Sequence, residues 1–224
     1  MTGASRGIGA ALATHLSTHG CRVYACARSA IAADGVAGRA TLDIGDRRAV
    51  NRWAATVRAQ TNGIDLLVNN AAILGERAGF AAVSAATWRR VLRTNILGTI
   101  WVTRAFLPLL AARQGATIVN VGSVLGRFGR AGWSPYAVSK FALEGLTEVL
   151  SQELAGRGVR VVTLHPSRVA TSLRSAAYGG GEPTPKQNLR AVLDAVTWLL
   201  DTPDAPLSGR AFSTNDLPYW ANAE

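Results

Sequence analysis

The sequence predicts one α/β domain over residues 1–224, built on a doubly wound parallel sheet. Three observations carry that expectation. Short apolar runs of strand length alternate with helix-length stretches along the whole chain, the pattern of repeated βαβ units. A glycine-rich turn, Thr2-Gly3-Ala4-Ser5-Arg6-Gly7-Ile8-Gly9, leads straight into the first helical stretch. The 224 residues, 48% of them hydrophobic, suffice for one substantial core, and no internal repeat marks a second domain.

The elements follow in order. After the glycine turn a helix is expected from Ala10 to His19, then a strand from Arg22 to Ala27 closed by Arg28. A strand from Arg39 to Asp43 and a helix from Arg47 to Thr61 form the next unit. Leu66 to Asn69 is a short apolar run that ends in two amides and two small residues, as a parallel strand reaching a ligand crevice should. One long helix is expected from Ala86 to Ala112, a buried strand from Thr117 to Val121, and a helix from Pro135 to Arg157. Strands from Arg160 to His165 and Arg210 to Ser213, with a helix from Asn188 to Leu200 between them, complete the sheet. Right-handed crossovers put a ligand at the strands' carboxyl ends.

The first strand of such a sheet should precede the glycine turn, yet Met1 stands where its last residue belongs. Loss of a central strand would strand the backbone groups of two neighbours. The expectation is therefore a truncated first strand and a start assigned too late. A GTG codon for a Val before Thr-Gly is readily misread as an initiator.

Two clusters carry chemistry. Glycines at 3, 7 and 9 permit a tight turn and close backbone approach to a ligand, and a helix starting there aims its unbonded amides and positive dipole end at an anion such as a pyrophosphate. Tyr136 and Lys140 lie one helical turn apart, so phenol and ammonium share a face. A cation that stabilises phenolate makes tyrosine a usable acid or base. Ser123, just past the Thr117 to Val121 strand, could hold a substrate oxygen beside it.

In these residues the chain resembles the short-chain dehydrogenase/reductase family over nearly its whole length. Thr2, Gly3, Gly7 and Gly9 match the family's Thr-Gly-x-x-x-Gly-x-Gly pattern, and Asn69, Asn70, Ala71 and Ala72 match Asn-Asn-Ala-Gly except in the last place. Asn95, Ser123, Tyr136 and Lys140 fall on its active-site set. The resemblance implies a Rossmann-type fold and an oxidoreductase that interconverts a ketone or aldehyde and the corresponding alcohol. Ser123 would bind the substrate oxygen and Tyr136 exchange its proton. Lys140 would lower the tyrosine pKa and hold the nicotinamide ribose, and Asn95 would link Lys140 to solvent through water.

The cofactor implied is NADP rather than NAD. No acid closes the Arg22 to Ala27 strand to repel a 2′-phosphate; Arg28 stands there, and Arg6 in the turn supplies a second guanidinium. Gly3, Ser5, Arg6, Gly7, Ile8 and Gly9 in the turn, together with Asn70 and Ala71, would bind the cofactor, with Asp43 at the adenine ring. His165-Pro166-Ser167-Arg168-Val169-Ala170-Thr171 resembles the family's Pro-Gly-x-Val-x-Thr segment, which places Val169 and Thr171 at the nicotinamide. Ser167 replaces the family glycine, so a different local backbone is expected there. His165 is read as a strand-end residue.

Pocket walls are expected from Ile73 to Phe80, Val124 to Trp133 and Ser172 to Lys186. Phe128, Trp133 and Tyr178 are either an aromatic lining or packing residues, Arg127 and Arg130 read as solvated, and 178–183 reads as a lid hinge. An alternative function is a cofactor-binding sensor or scaffold that keeps the fold without turnover. Retention of Asn95, Ser123, Tyr136 and Lys140 together favours the enzyme.

A net charge of +10 raises the question of nucleic acid, but the excess is 22 arginines against 2 lysines, scattered rather than striped. No nucleic-acid partner is expected. Neither is a membrane span, since no apolar run reaches the needed length. Cys21 and Cys26 share one predicted strand and imply neither a disulfide framework nor a metal site. A cytoplasmic location is the default reading. The resemblance adds a homotetramer or dimer packed through the helices around Asn95 and Tyr136.

Overall fold

The computed structural model describes residues 1–167, 169–178, 189–214 and 216. Its elements are α1 (Gly7–Thr18), β1 (Tyr24–Ala27), β2 (Gly38–Thr41), α2 (Arg47–Arg58), β3 (Leu66–Asn69), α3 (Ala85–Leu92), α4 (Thr99–Leu110), β4 (Thr117–Val121), α5 (Ser134–Leu154), β5 (Arg160–His165), α6 (Ser172–Tyr178), α7 (Arg190–Asp201) and β6 (Ala211–Ser213). All strand pairings are parallel: β1 with β2, and β3, β4, β5 and β6 side by side in that order.

Met1 and Thr2 sit between the two sets of strands. Cys26 N donates to Met1 O at 3.0 Å, Thr2 N donates to Val68 O at 3.0 Å, and Thr2 makes a parallel bridge with Cys26. The glycine turn thus leaves the middle of the sheet, at the carboxyl ends of its neighbours.

Neighbouring residues along β3, β4 and β5 feed opposite faces, because side chains alternate along a strand. Val68, Val119 and Val162 pack with Leu12 and Leu16 of α1 and Val192, Val196 and Leu199 of α7. Leu67, Ile118 and Val161 pack on the other side with Val50, Trp53 and Val57 of α2 and Phe106 and Leu110 of α4. Strands covered on both faces read as continuous apolar runs, which is why these three match their expected spans.

Polar residues cross that core in one connected line. Asn69 Nδ2 donates to Thr103 Oγ1 at 3.1 Å and to Asn120 Oδ1 at 2.9 Å, and Asn120 Nδ2 donates to Thr147 Oγ1 at 2.9 Å. Thr147 in turn bonds Thr163 at 2.7 Å. All five are buried, so the bonds cross-link β3, β4 and β5 to the helices above them.

Two expectations are corrected. The long helix from Ala86 to Ala112 is interrupted: Arg93–Gly98 form a π-helical turn between α3 and α4. Asn95 lies in it with its amide drawn to partners outside the helix, and at Gly98 a Cβ would come within 2.7 Å of Ile44. Ser172–Tyr178, expected as pocket loop, is helix α6. Thr171 supplies the reason, since its hydroxyl accepts from Arg174 N at 3.2 Å as an N-cap. The expected lid hinge at 178–183 falls, beyond Tyr178, outside the described residues. Among the described residues no helix is long and apolar enough to cross a membrane.

Candidate active site

The carboxyl ends of the strands open on one cleft of about 1100 Å³. At one end the glycine turn forms its floor. Gly3 and Gly7 have φ of +70° and +57°, a backbone that side chains disfavour. At Gly9 a Cβ would lie 2.2 Å from Gly3 O, so only glycine lets α1 start this close to the turn. The next segment braces it: Thr2 Oγ1 accepts from Asn70 N and Ala71 N, both at 3.1 Å, and Asn70 Nδ2 donates to Thr2 O at 3.0 Å and Gly3 O at 3.2 Å.

Arg6, the residue before α1, is extended, and no side chain caps the helix. The first-turn amides and the positive end of the helix are left for an anion. Arg6 and Arg28 line the same cleft, and among the described residues neither is paired with a carboxylate. Asp43, held by a bond from Gly45 N at 2.8 Å, closes this end. A cradle that a Cβ would fill, an uncapped helix start and two guanidiniums fit a phosphorylated dinucleotide.

The other end is built by β4 and α5. Trp133 precedes α5 and Pro135 lies in its first turn, where proline's fixed φ favours helix initiation. Tyr136 and Lys140 therefore enter the cleft from one face of a rigid helix, opposite Ser123 at the end of β4. The Tyr136 phenol and the Ser123 hydroxyl line the same wall. Burial pushes the Tyr136 pKa up to about 12, against a smaller downward pull from Ser123. Lys140 Nζ donates to Val121 O at 2.6 Å and stands 5.6 Å from the centre of the Tyr136 ring. Burial lowers its pKa to about 8.

Asn95 lies behind this wall. Its Oδ1 accepts from Ile73 N at 2.9 Å, and its Nδ2 donates to Ile73 O and Ser139 Oγ, each at 3.0 Å. Ser139 Oγ donates onward to Tyr136 O at 2.7 Å. The π-turn is thus tied to the backbone of the tyrosine rather than directly to Lys140. Such turns often mark functional sites.

Most residues singled out from the sequence converge here. Gly3, Ser5, Arg6, Gly7, Ile8, Arg28, Asp43, Asn70, Ala71, Ser123, Tyr136, Lys140, Val169 and Thr171 all line the cleft, while Gly9 and Asn95 support it from behind. Ser167 adopts φ +54°, so the glycine-like backbone persists there despite the substitution. Bonds of 3.0 Å with Ser213 and 3.1 Å from Thr214 hold the serine in place.

Arg127 differs from expectation. It is ion-paired with the buried Glu144, which also binds His165 Nε2 at 2.8 Å. Burial keeps the His165 pKa below its usual value, while Glu144 opposes the shift. Trp133 and Tyr178 line the cleft, whereas Phe128 is 68% exposed and lies outside it. The sequence reading missed Ser139 and the Glu144 cluster. Glu144 stands one turn beyond Lys140, a spacing that could have signalled it.

Comparison with known proteins agrees with this geometry. The family model described as short chain dehydrogenase matches residues 1–179. The chain is 34% identical over 188 residues to an NADPH-dependent pterin aldehyde reductase of Arabidopsis thaliana, covering 80% of this chain and 77% of the relative. It is similar in structure to a short chain dehydrogenase of Shigella flexneri 2a complexed with NADP, with TM-score 0.88, 27% identity, and 96% and 95% of the two chains covered. A short chain dehydrogenase of Escherichia coli CFT073 complexed with NADPH superposes with TM-score 0.87 at 28% identity, over 95% and 94% of the chains. The chain belongs to the short chain dehydrogenase family and is an oxidoreductase of that family.

Proposed function

We propose that the protein is an NADP(H)-dependent oxidoreductase that interconverts a ketone or aldehyde and its alcohol, with Tyr136 as acid and base. The observation that carries this is the grouping of Tyr136, Ser123 and Lys140 at the wall of a cleft whose other end is an uncapped helix start flanked by Arg6 and Arg28. Bound NADPH supplies the hydride.

The glycine turn and the first amides of α1 bind the diphosphate, Arg6 and Arg28 the 2′-phosphate, and Asp43 the adenine side. Val169 and Thr171 position the nicotinamide end. Ser123 donates to the substrate oxygen and fixes the carbonyl against the phenol. In reduction a bound NADPH would supply hydride to the carbonyl carbon, leaving NADP⁺, while Tyr136 gives its proton to the oxygen. Burial by itself makes this phenol a weaker acid, so proton transfer relies on Lys140 and the bound cofactor to bring its pKa down. Lys140 would hold the ribose of a bound cofactor and stabilise phenolate after transfer, and Asn95 holds the loop at Ile73 and, through Ser139, the backbone of Tyr136 in register.

The small-molecule partner is thus a carbonyl compound or alcohol. A homo-oligomer is part of the same reading. Phe141, Gly145 and Val149 recur every fourth residue on α5, where both side chains are about half exposed and a Cβ at Gly145 would meet open space. That apolar stripe supports helix-to-helix association with a second copy.

The test is NADPH oxidation against a panel of ketones and aldehydes, with NADH in parallel. Tyr136→Phe should lower turnover by about 10²–10⁴-fold while NADPH still binds. Unchanged turnover in that variant would overturn the assignment. A sensor or scaffold would instead bind NADPH and reduce nothing.

A further inference from the structure

Behind the wall formed by Tyr136 and Lys140 lies a carboxylate. Glu144 follows Lys140 by one turn of α5 and is buried, yet it is absent from the described lining of the cleft. Its Oε1 accepts from His165 Nε2 at 2.8 Å, and its Oε2 is ion-paired with Arg127. A carboxylate only accepts, so the imidazole carries a proton on Nε2. A buried charge is costly to keep, and this one touches no reacting atom.

Its two partners belong to the two segments that meet at Ser123. Arg127 follows the turn Val124–Gly126, which Ser123 caps: Ser123 Oγ accepts from Leu125 N at 3.2 Å, and Ser123 O accepts from Gly126 N at 2.8 Å. At Gly126 a Cβ would lie 2.6 Å from Glu144 Oε1 and 2.9 Å from Lys140 O, so this turn sits directly on the helix between Lys140 and Glu144. His165 ends β5, and its ring lies against Gly122, where a Cβ would come within 2.7 Å of Cδ2. One carboxylate thus holds the chain after Ser123 through Arg127 and braces the chain before it through His165.

Resting on the oxidoreductase reading, we propose that Glu144 is a positioning residue that acts through Ser123. Clamped between Arg127 and His165, it fixes the Ser123 hydroxyl where the substrate oxygen lies beside the Tyr136 phenol. Leu125 N occupies the oxygen of that hydroxyl, and its O–H is left to donate to the substrate. The turn seated on Glu144 sets the position of that donor, and a misplacement of about 1 Å costs up to about 100-fold in rate.

The test is a double-mutant cycle, run with NADPH and whichever ketone or aldehyde of the panel turns over fastest. Glu144→Gln keeps the shape but turns one carboxylate oxygen into a donor, which then faces either the His165 N–H or the Arg127 guanidinium. It should lower kcat by about tenfold or more, while the Kd of NADPH, read by its fluorescence, changes by less than about threefold. The same substitution in Ser123→Ala protein should lower kcat by less than about twofold, because the group that Glu144 positions is already gone. Equal loss in both backgrounds overturns the proposal and reduces Glu144 to a support of the fold. So does wild-type kcat in Glu144→Gln. If Glu144→Gln does not fold, Arg127→Leu, which releases only the half-exposed arm of the clamp, enters the same cycle with the same criteria. If no carbonyl compound is reduced, the oxidoreductase reading fails by itself. The clamp is then decided by amide hydrogen exchange at Gly126 and Phe128, which should be about tenfold faster in Arg127→Leu; unchanged exchange overturns it.

Discussion

Lys140 gives its ammonium to the carbonyl of Val121 at 2.6 Å, a bond between helix α5 and the last residue of β4. The group is buried and its pKa falls from 10.5 to about 8. The protein therefore carries a charge that works against folding in order to keep it in the cleft.

Lys140→Met should make the ligand-free protein more stable at pH 7 by about 1–3 kcal/mol, while it removes activity. The sign follows from linkage. The folded pKa lies below the unfolded one, so the ammonium costs most below about pH 8, and the cost fades as pH rises toward 10.5. Thermal melts of both proteins across this range should show their difference shrinking with pH. A difference that does not change with pH would refute the assignment of the cost to this charge.

Arg28 follows the end of β1 and lines the cleft beside the glycine turn. Arg28→Asp removes a positive partner for a 2′-phosphate and adds a repulsive charge. The ratio of kcat/KM for NADPH over NADH should fall by about 100-fold, mostly through weaker NADPH binding. An unchanged ratio would place the 2′-phosphate elsewhere.

Ser167 combines a left-handed φ of +54° with hydroxyl bonds to Ser213 and Thr214. Alanine keeps the backbone strain and loses the bonds, whereas glycine loses the bonds and relieves the strain. Ser167→Ala should cost about 1–2 kcal/mol and Ser167→Gly distinctly less, read by urea denaturation. The reverse order would show that no strain is stored at this φ.

Asn120 is fully buried and bonds both Asn69 and Thr147. Asn120→Ala should destabilise the fold by about 2–4 kcal/mol, because the partners on β3 and α5 lose their bonds together. Chemical denaturation gives the value; a change below about 0.5 kcal/mol, the scale of ordinary surface substitutions, would mean that water replaces the amide.

Local chemistry was legible wherever a short stretch is enough to define it. Continuous apolar runs gave β3, β4 and β5 their observed ends, and the glycine turn announced the start of α1. The four-residue spacing put Tyr136 and Lys140 on one helix face. The interruption at Asn95 and the helix Ser172–Tyr178 were not legible, although Thr171 before α6 was a usable capping signal.

By itself the amino-acid order determined the parallel α/β architecture, the anion-binding helix start, and the residues that would carry the chemistry, because periodicity and turn stereochemistry are properties of neighbouring residues. The tertiary structure alone decided which partner each polar group takes. Lys140 found Val121, Asn95 found Ile73 and Ser139, Glu144 found Arg127 and His165, and among the described residues the Trp133 indole was left without an acceptor. Burial removes water as a partner, so each such group must bond whatever the packed chain brings within reach, and that choice is made between residues far apart in sequence.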